Sequence, residues 1–174
     1  SSAKKISEFK EIEDSEIREV IDDTLAPLLR QEGENPASVV SDLREMMQKK
    51  VGIIRTRSLL EEALVDLDEL EARSLGVFGG SGKVYNPGWH QSLEIKAMID
   101  VSRMCTLAAL KREESRGGHT RDDFPTPDHS HWGKINSLIS MSDDGSMQIG
   151  FVSYPPIPNE LKSLLDLEDL HEEE

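Results

Sequence analysis

Basic residues, aromatics, cysteine and long apolar runs are all scarce in this chain. Only 20 Lys and Arg face 34 Asp and Glu, a formal net charge of −14. That balance leaves no basic stripe to displace counterions from phosphates, which excludes nucleic-acid binding. It equally removes a polybasic grip on an anionic membrane. The single cysteine, Cys105, permits no internal disulfide. Its apolar helical setting reads as that of a small buried hydrophobe, and such usage is compatible with a reducing compartment. No run of 18 apolar residues occurs, so no membrane-spanning helix is expected, nor is a signal peptide. The opening Ser1-Ser2-Ala3, without Met, points to a processed or excised piece. With aromatics at 5%, the core must come from Leu, Ile, Val, Met and Ala. At 174 residues the chain is long enough for one domain with a real core.

What is present is mostly helical periodicity. Phe9, Ile12, Ile17, Val20, Ile21, Leu25 and Leu28 mark a first amphipathic helix, which Pro27 should end or kink. Asn35-Pro36 then reads as an N-cap followed by proline at the first helical position. The next face is Val39, Val40, Leu43, Met46, Met47 and Val51. After Gly52, Ser58 and Glu61 fit a capping box ahead of Leu60, Ala63, Leu64, Leu67 and Leu70. The acids Glu61, Glu62, Asp66, Asp68 and Glu69 form the solvated side of that helix.

A glycine-rich connection follows, with Gly79, Gly80, Gly82 and Lys83. A phosphate loop is rejected, because Val77 and Val84 stand where that pattern needs Gly and Ser or Thr. The fourth helix runs from about Gly88 to Arg112. Leu93, Ala97, Val101, Cys105 and Ala108 form one stripe; Ile95, Met98, Ile99 and Ala109 widen it. So apolar a helix belongs at the centre of a bundle. Ile135–Met141 and Met147–Tyr154, with Asp143-Asp144-Gly145 between them, predict a hairpin. Tyr154-Pro155-Pro156-Ile157-Pro158 reads as extended.

The expected fold is therefore mainly α. A bundle of about three to four helices occupies 1–112, and a charged loop with a small β-hairpin C-terminal domain occupies 113–159. Residues 160–174 are an acidic tail, disordered or a short helix, with seven acids against Lys162 for a charge of −6.

The densest chemistry lies in 112–125, Arg-Glu-Glu-Ser-Arg-Gly-Gly-His-Thr-Arg-Asp-Asp-Phe-Pro. His119, Asp122, Asp123, Asp128, His129 and His131 have metal-ligating side chains, but no H-E-x-x-H spacing, and the neighbouring arginines would repel a cation. His119 with Asp122 or Asp123 has the makings of an acid–base pair, though no nucleophile motif accompanies it. A structural ion network is the third reading. Arg116 and Arg121 present forked donors to Glu114, Asp122 and Asp123, Gly117-Gly118 permits a close turn, and Phe124-Pro125 anchors the far end in apolar contacts. These ion pairs are expected to be exposed, each contributing about 0–1 kcal/mol.

The segment Glu114-Ser115-Arg116-Gly117-Gly118-His119-Thr120-Arg121-Asp122-Asp123-Phe124-Pro125 resembles one near the end of succinate dehydrogenase and fumarate reductase flavoprotein subunits. The likeness extends from about residue 36 to 157. It takes in Met46-Met47 through Val51-Gly52-Ile53-Ile54-Arg55, Leu59-Leu60 to Leu70, Ala108-Ala109-Leu110 into Arg112, then Asp128 and Trp132, and finally Tyr154-Pro155-Pro156-Ile157. Pro155 stands where many members have Arg, and residues 1–35 match less well. The L-aspartate oxidases share the Glu-Ser-Arg-Gly-x-His core but usually lack the Arg-acid-Asp-Phe-Pro that follows, so they are the second family considered. A free-standing acidic helical interaction module is a further alternative.

The resemblance implies a parent enzyme that oxidises succinate to fumarate through a bound FAD and passes electrons to an iron–sulfur subunit. The family's flavin fingerprint, flavin-linking histidine and substrate-anchoring residues belong upstream, so this piece is expected to carry no catalytic, cofactor or metal site and to be inactive alone. Its implied partners are its own N-terminal flavin domain and the iron–sulfur subunit. The implied location is peripheral, on the cytoplasmic face of a bacterial inner membrane, touching the membrane only through the complex. Arg112, Glu114, Ser115, Arg116, Gly117, His119, Arg121, Asp123, Phe124, Pro125 and Trp132 are the candidate interdomain-contact residues.

Overall fold

A computed structural model describes residues 12–142, 144–158 and 161. Phe9 of the first helix, Asp143 of the hairpin turn and nearly all of the acidic tail lie outside the described residues. Four helices dominate: α1 (Asp14–Leu29), α2 (Pro36–Lys50), α3 (Arg57–Ser74) and α4 (Pro87–Lys111). A two-residue strand, β1 (Ile54–Arg55), pairs in parallel with β2 (Thr120–Arg121). A short 3-10 turn (Trp132–Lys134) leads into β3 (Ile135–Met141), which pairs antiparallel with β4 (Met147–Ser153). The architecture is mainly α with a small hairpin, as the periodicity predicts.

Three helices share the core. Val39, Val40, Leu43 and Met46 of α2 meet Leu60, Ala63, Leu67 and Leu70 of α3 and Ile95, Ile99 and Ala109 of α4. Local signals set α2: the Asn35 side chain accepts the Ala37 N–H at 2.9 Å, and Pro36 opens the helix. The Ser58 capping box is a different matter. Thr56 is the N-cap, its Oγ1 accepting the Leu59 N–H at 3.3 Å, and Ser58 lies inside the first turn. Thr56 stands in extended backbone just ahead of the helix, where a hydroxyl reaches the third amide of the turn.

Two other expectations about faces are corrected. In α1, Ile17, Val20 and Ile21 are exposed, and only Pro27 is buried, in the last turn. The helix ends two residues past that proline. Its C-terminal half leans on α4, where the Trp89 indole N–H donates to the Thr24 carbonyl at 2.8 Å. In α4, the stripe Leu93, Ala97, Val101 and Cys105 is exposed, and Cys105 is not a core residue. The face turned inward is Ile95, Ile99, Thr106 and Ala109. Both faces are apolar, and α2 and α3 can cover only one of them.

The start of the glycine-rich connection lies close against the segment ahead of α2. A Cβ on Gly33 would fall 2.4 Å from the Gly76 carbonyl oxygen, so only glycine lets these segments approach. That approach allows the Phe78 N–H to reach the Glu34 carbonyl at 2.9 Å. No helix among the described residues is long and apolar enough to cross a membrane.

Candidate functional site

The segment 112–125 folds back beneath the C-terminal end of α4 and beside the N-terminal end of α3. The last carbonyls of a helix lack partners within it. Arg121 supplies them: its Nη1 donates to the Ala109 carbonyl at 2.8 Å and to that of Leu110 at 3.1 Å. Its Nε and Nη2 make a bidentate pair with Asp123, at 2.7 and 2.8 Å. The Phe124 ring lies 4.9 Å from the guanidinium carbon. Arg121 is fully buried, which overturns the expectation of an exposed ion pair.

Asp123 completes a second connection. Its Oδ2 accepts the backbone N–H of Arg57, the first residue of α3, at 2.9 Å. The Arg121 guanidinium, aided by this N–H against the effect of burial, holds the carboxyl well below the usual range. Asp122 takes no such part; its side chain is exposed and its backbone N–H pairs with the Arg55 carbonyl at 2.9 Å.

Glu114 is the other fully buried charge among the described residues. Its carboxylate accepts Arg112 Nε at 2.8 Å, Arg116 Nε at 3.1 Å and the Asp128 N–H at 2.8 Å. Burial alone would raise its pKa, but the donors from Arg116, Asp128 and Arg112 together outweigh it and lower the value. Arg112 carries the network onward, donating to the Trp132 carbonyl at 2.8 Å and lying 5.6 Å from that ring. Trp132 packs edge-on against Phe151 of β4 at 5.4 Å, which ties the hairpin to the loop.

Ser115 and Gly117 shape the turn. The Ser115 hydroxyl donates to the Phe124 carbonyl and accepts the Arg121 N–H, each at 2.8 Å. Gly117 has φ +57°, a left-handed conformation that closes the paired contact between Arg116 and His119. Gly118 needs no such freedom, and Pro125 is exposed rather than anchored.

His119 does not meet a carboxylate. Its Nδ1 faces Arg55 Nη1 at 2.6 Å and its Nε2 faces the Arg112 carbonyl at 3.1 Å. Guanidinium only donates and carbonyl only accepts, so these partners select the neutral ring with its proton on Nε2. Burial first, then the charges of Arg55, Arg121 and Arg112, push its pKa below the ordinary value, against the bond to Arg112. The acid–base pair considered from sequence is therefore not assembled. Nor do His, Cys, Asp and Glu gather in a metal-holding group among the described residues.

Two partners escaped the sequence reading of the loop. Arg55 and Arg57 lie over 50 residues upstream, and the β1–β2 pairing is what delivers them. Arg57 also pairs with Glu113 across that gap. The described residues do not form a dinucleotide-binding turn. The one parallel pair is two residues long, and no glycine turn leads from a strand into a helix as dinucleotide sites require. Every buried side-chain polar atom among them already has a partner.

This network of internally satisfied charges belongs to a region matched as a whole by a family model. Residues 40–167 match the fumarate reductase flavoprotein C-term family. The chain belongs to this family. A fumarate reductase flavoprotein subunit of Helicobacter pylori is 37% identical over 129 residues, covering 73% of this chain and 18% of that protein. A succinate dehydrogenase flavoprotein subunit of Coxiella burnetii is 30% identical over 148 residues, covering 82% and 24%. The solved Sdh1 complex of Mycobacterium smegmatis in its apo form superposes with a TM-score of 0.80 at 32% identity, over 97% of this chain and 29% of that one. The chain thus spans about a fifth to under a third of the relatives it matches.

Proposed function

We propose that this chain is the C-terminal buttress of an FAD-dependent flavoprotein that interconverts succinate and fumarate and passes electrons to an iron–sulfur subunit. The observation that carries this reading is the character of the 112–125 network within a family-matched region. Its buried charges, Glu114 and Arg121, are fully engaged with the chain's own groups. They are spent on holding a shape, and none is left pointing at a substrate.

On this reading, residues 1–112 form the helical unit and 113–159 the small C-terminal unit. Arg112, Glu114, Arg116, Arg121, Asp123 and Trp132 keep the loop rigid. Its outer edge then meets the flavin domain and the iron–sulfur subunit. The flavin and the reacting carbons are held by the upstream domain, and the assembled enzyme sits peripherally on the cytoplasmic face of a bacterial inner membrane.

The test compares two proteins from the same source. The 174-residue chain should bind no FAD by fluorescence titration and reduce no dye with succinate. The polypeptide read from the full open frame should carry flavin and reduce the dye. An upstream frame without a flavin-binding domain, or dye reduction by the 174-residue chain alone, would overturn the proposal.

A further inference from the structure

Helix α4 has two apolar faces and the fold uses one. Ile95, Ile99 and Ala109 are buried against α2 and α3. On the other side Leu93, Ala97, Val101 and Cys105 recur every fourth residue and stand exposed, Val101 at 58%. Ala97 and Val101 of this strip, with Met47 of α2 and Met98, line an open groove of about 580 Å³, in which Arg44 and Glu94 are the only charged lining residues. Single exposed apolar residues are ordinary, but a contiguous strip along three turns of helix marks a surface made to be covered.

We propose that this face is the seat of the rest of the subunit's own polypeptide, which presents an apolar surface to it. This rests on the reading of the chain as the C-terminal part of a longer flavoprotein. Two observations favour that occupant. The solved relative is more than three times as long, since this chain covers 29% of it, so most of the subunit has yet to be placed against some surface of these helices. A second copy is the poorer partner, because two chains of net charge −14 repel one another on approach.

Cys105 is a native reporter for this contact. The 174-residue chain and the full-length subunit are each treated with a maleimide, and the modified site is read by peptide mass spectrometry. Labelling of Cys105 should be fast in the 174-residue chain and about tenfold or more slower in the full subunit. Equal rates would overturn the proposed surface while leaving the flavoprotein reading intact, because that reading is tested by the open frame and flavin content. Slow labelling in the 174-residue chain, with dimer sedimentation, would assign the face to a second copy and also overturn it. Val101→Glu supplies the control. It should leave the melting temperature of the 174-residue chain unchanged and raise Cys105 labelling in the full subunit. If labelling in that variant stays slow, the protection does not come from docking on this face, and the proposal fails.

Discussion

Arg121 and Asp123 join the carbonyl end of one helix to the amide end of another. Through Arg121 the pair caps the Ala109 and Leu110 carbonyls of α4; through Asp123 it accepts the Arg57 N–H that opens α3. A cation at a helix C-terminus and an anion at an N-terminus each complement the backbone dipole they face. The two charges also neutralise one another through a bidentate contact at 2.7 and 2.8 Å. A single ion pair thus ties the ends of α3 and α4 to the 112–125 loop.

Removing Arg121 should therefore damage the isolated chain, contrary to what an exposed ion pair would do. Arg121→Ala leaves Asp123 without its counter-charge and two α4 carbonyls without donors. Leaving the Ala109 and Leu110 carbonyls without this buried donor costs about 1–3 kcal/mol for each group, which lowers Tm by roughly 10 °C in a chain of this size. Arg121→Lys should recover little, since an ammonium cannot reproduce the planar fork. Calorimetry on the three proteins checks this; a Tm within a degree or two of the parent for Arg121→Ala would refute it.

Which parts of this were legible beforehand follows from the range of each interaction. Asn35-Pro36 acts within three residues, and the stripes of α2 and α3 have a solvated side to contrast with, so sequence alone locates both. In α4 nearly every side is apolar, and periodicity cannot say whether Ile99 or Val101 faces inward; α2 and α3 decide that. The residue types of 112–125 allow a metal or an acid–base site as well as a structural charge network. Its partners do not follow from the sequence, because Arg55 and Arg57 reach it only through a strand pair two residues long. Burial of Arg121 was invisible for the same reason: the carbonyls that make it tolerable belong to the backbone of the preceding helix.

Glu114 and its neighbour Glu113 should behave oppositely. Glu114 is fully buried among Arg112, Arg116 and the Asp128 N–H, so Glu114→Gln leaves two guanidinium groups facing a neutral amide. The expected loss is about 3 kcal/mol. Glu113 pairs with Arg57 where both side chains are largely solvated. Glu113→Gln should cost about 0–1 kcal/mol. Urea midpoints at neutral pH separate the two, and equal shifts would mean that the buried carboxylate has no special place.

The two faces of α4 give a third contrast. Ile99 is 1% exposed within the shared core and Val101 is 58% exposed. Ile99→Ala should cost about 2–5 kcal/mol through lost contacts and an unfilled cavity. Val101→Ala should stay within about 0.5 kcal/mol in the isolated chain. If Val101→Ala proves the more damaging of the two, the inward face of α4 has been assigned to the wrong side.

The last prediction concerns acid. His119 is held neutral between Arg55 and the Arg112 carbonyl, with a pKa pushed below its ordinary value. The unfolded chain takes up that proton near the ordinary value of about 6.5, while the folded chain resists it until lower pH. Between those two values the unfolded state binds more protons, so stability falls as pH drops from about 6.5 and levels off below the folded value. Glu114 and Asp123, both lowered by their arginines, add a separate loss further into acid, from the ordinary carboxylate range downward. His119→Gln isolates the first of these, because a neutral amide offers one donor to Arg112 and one acceptor to Arg55, as the neutral ring does. The variant should match the parent at pH 7.5 and lose the upper part of the acid slope while keeping the lower part. Thermal melts at closely spaced pH values measure both. An unchanged upper slope in His119→Gln would show that His119 does not set it.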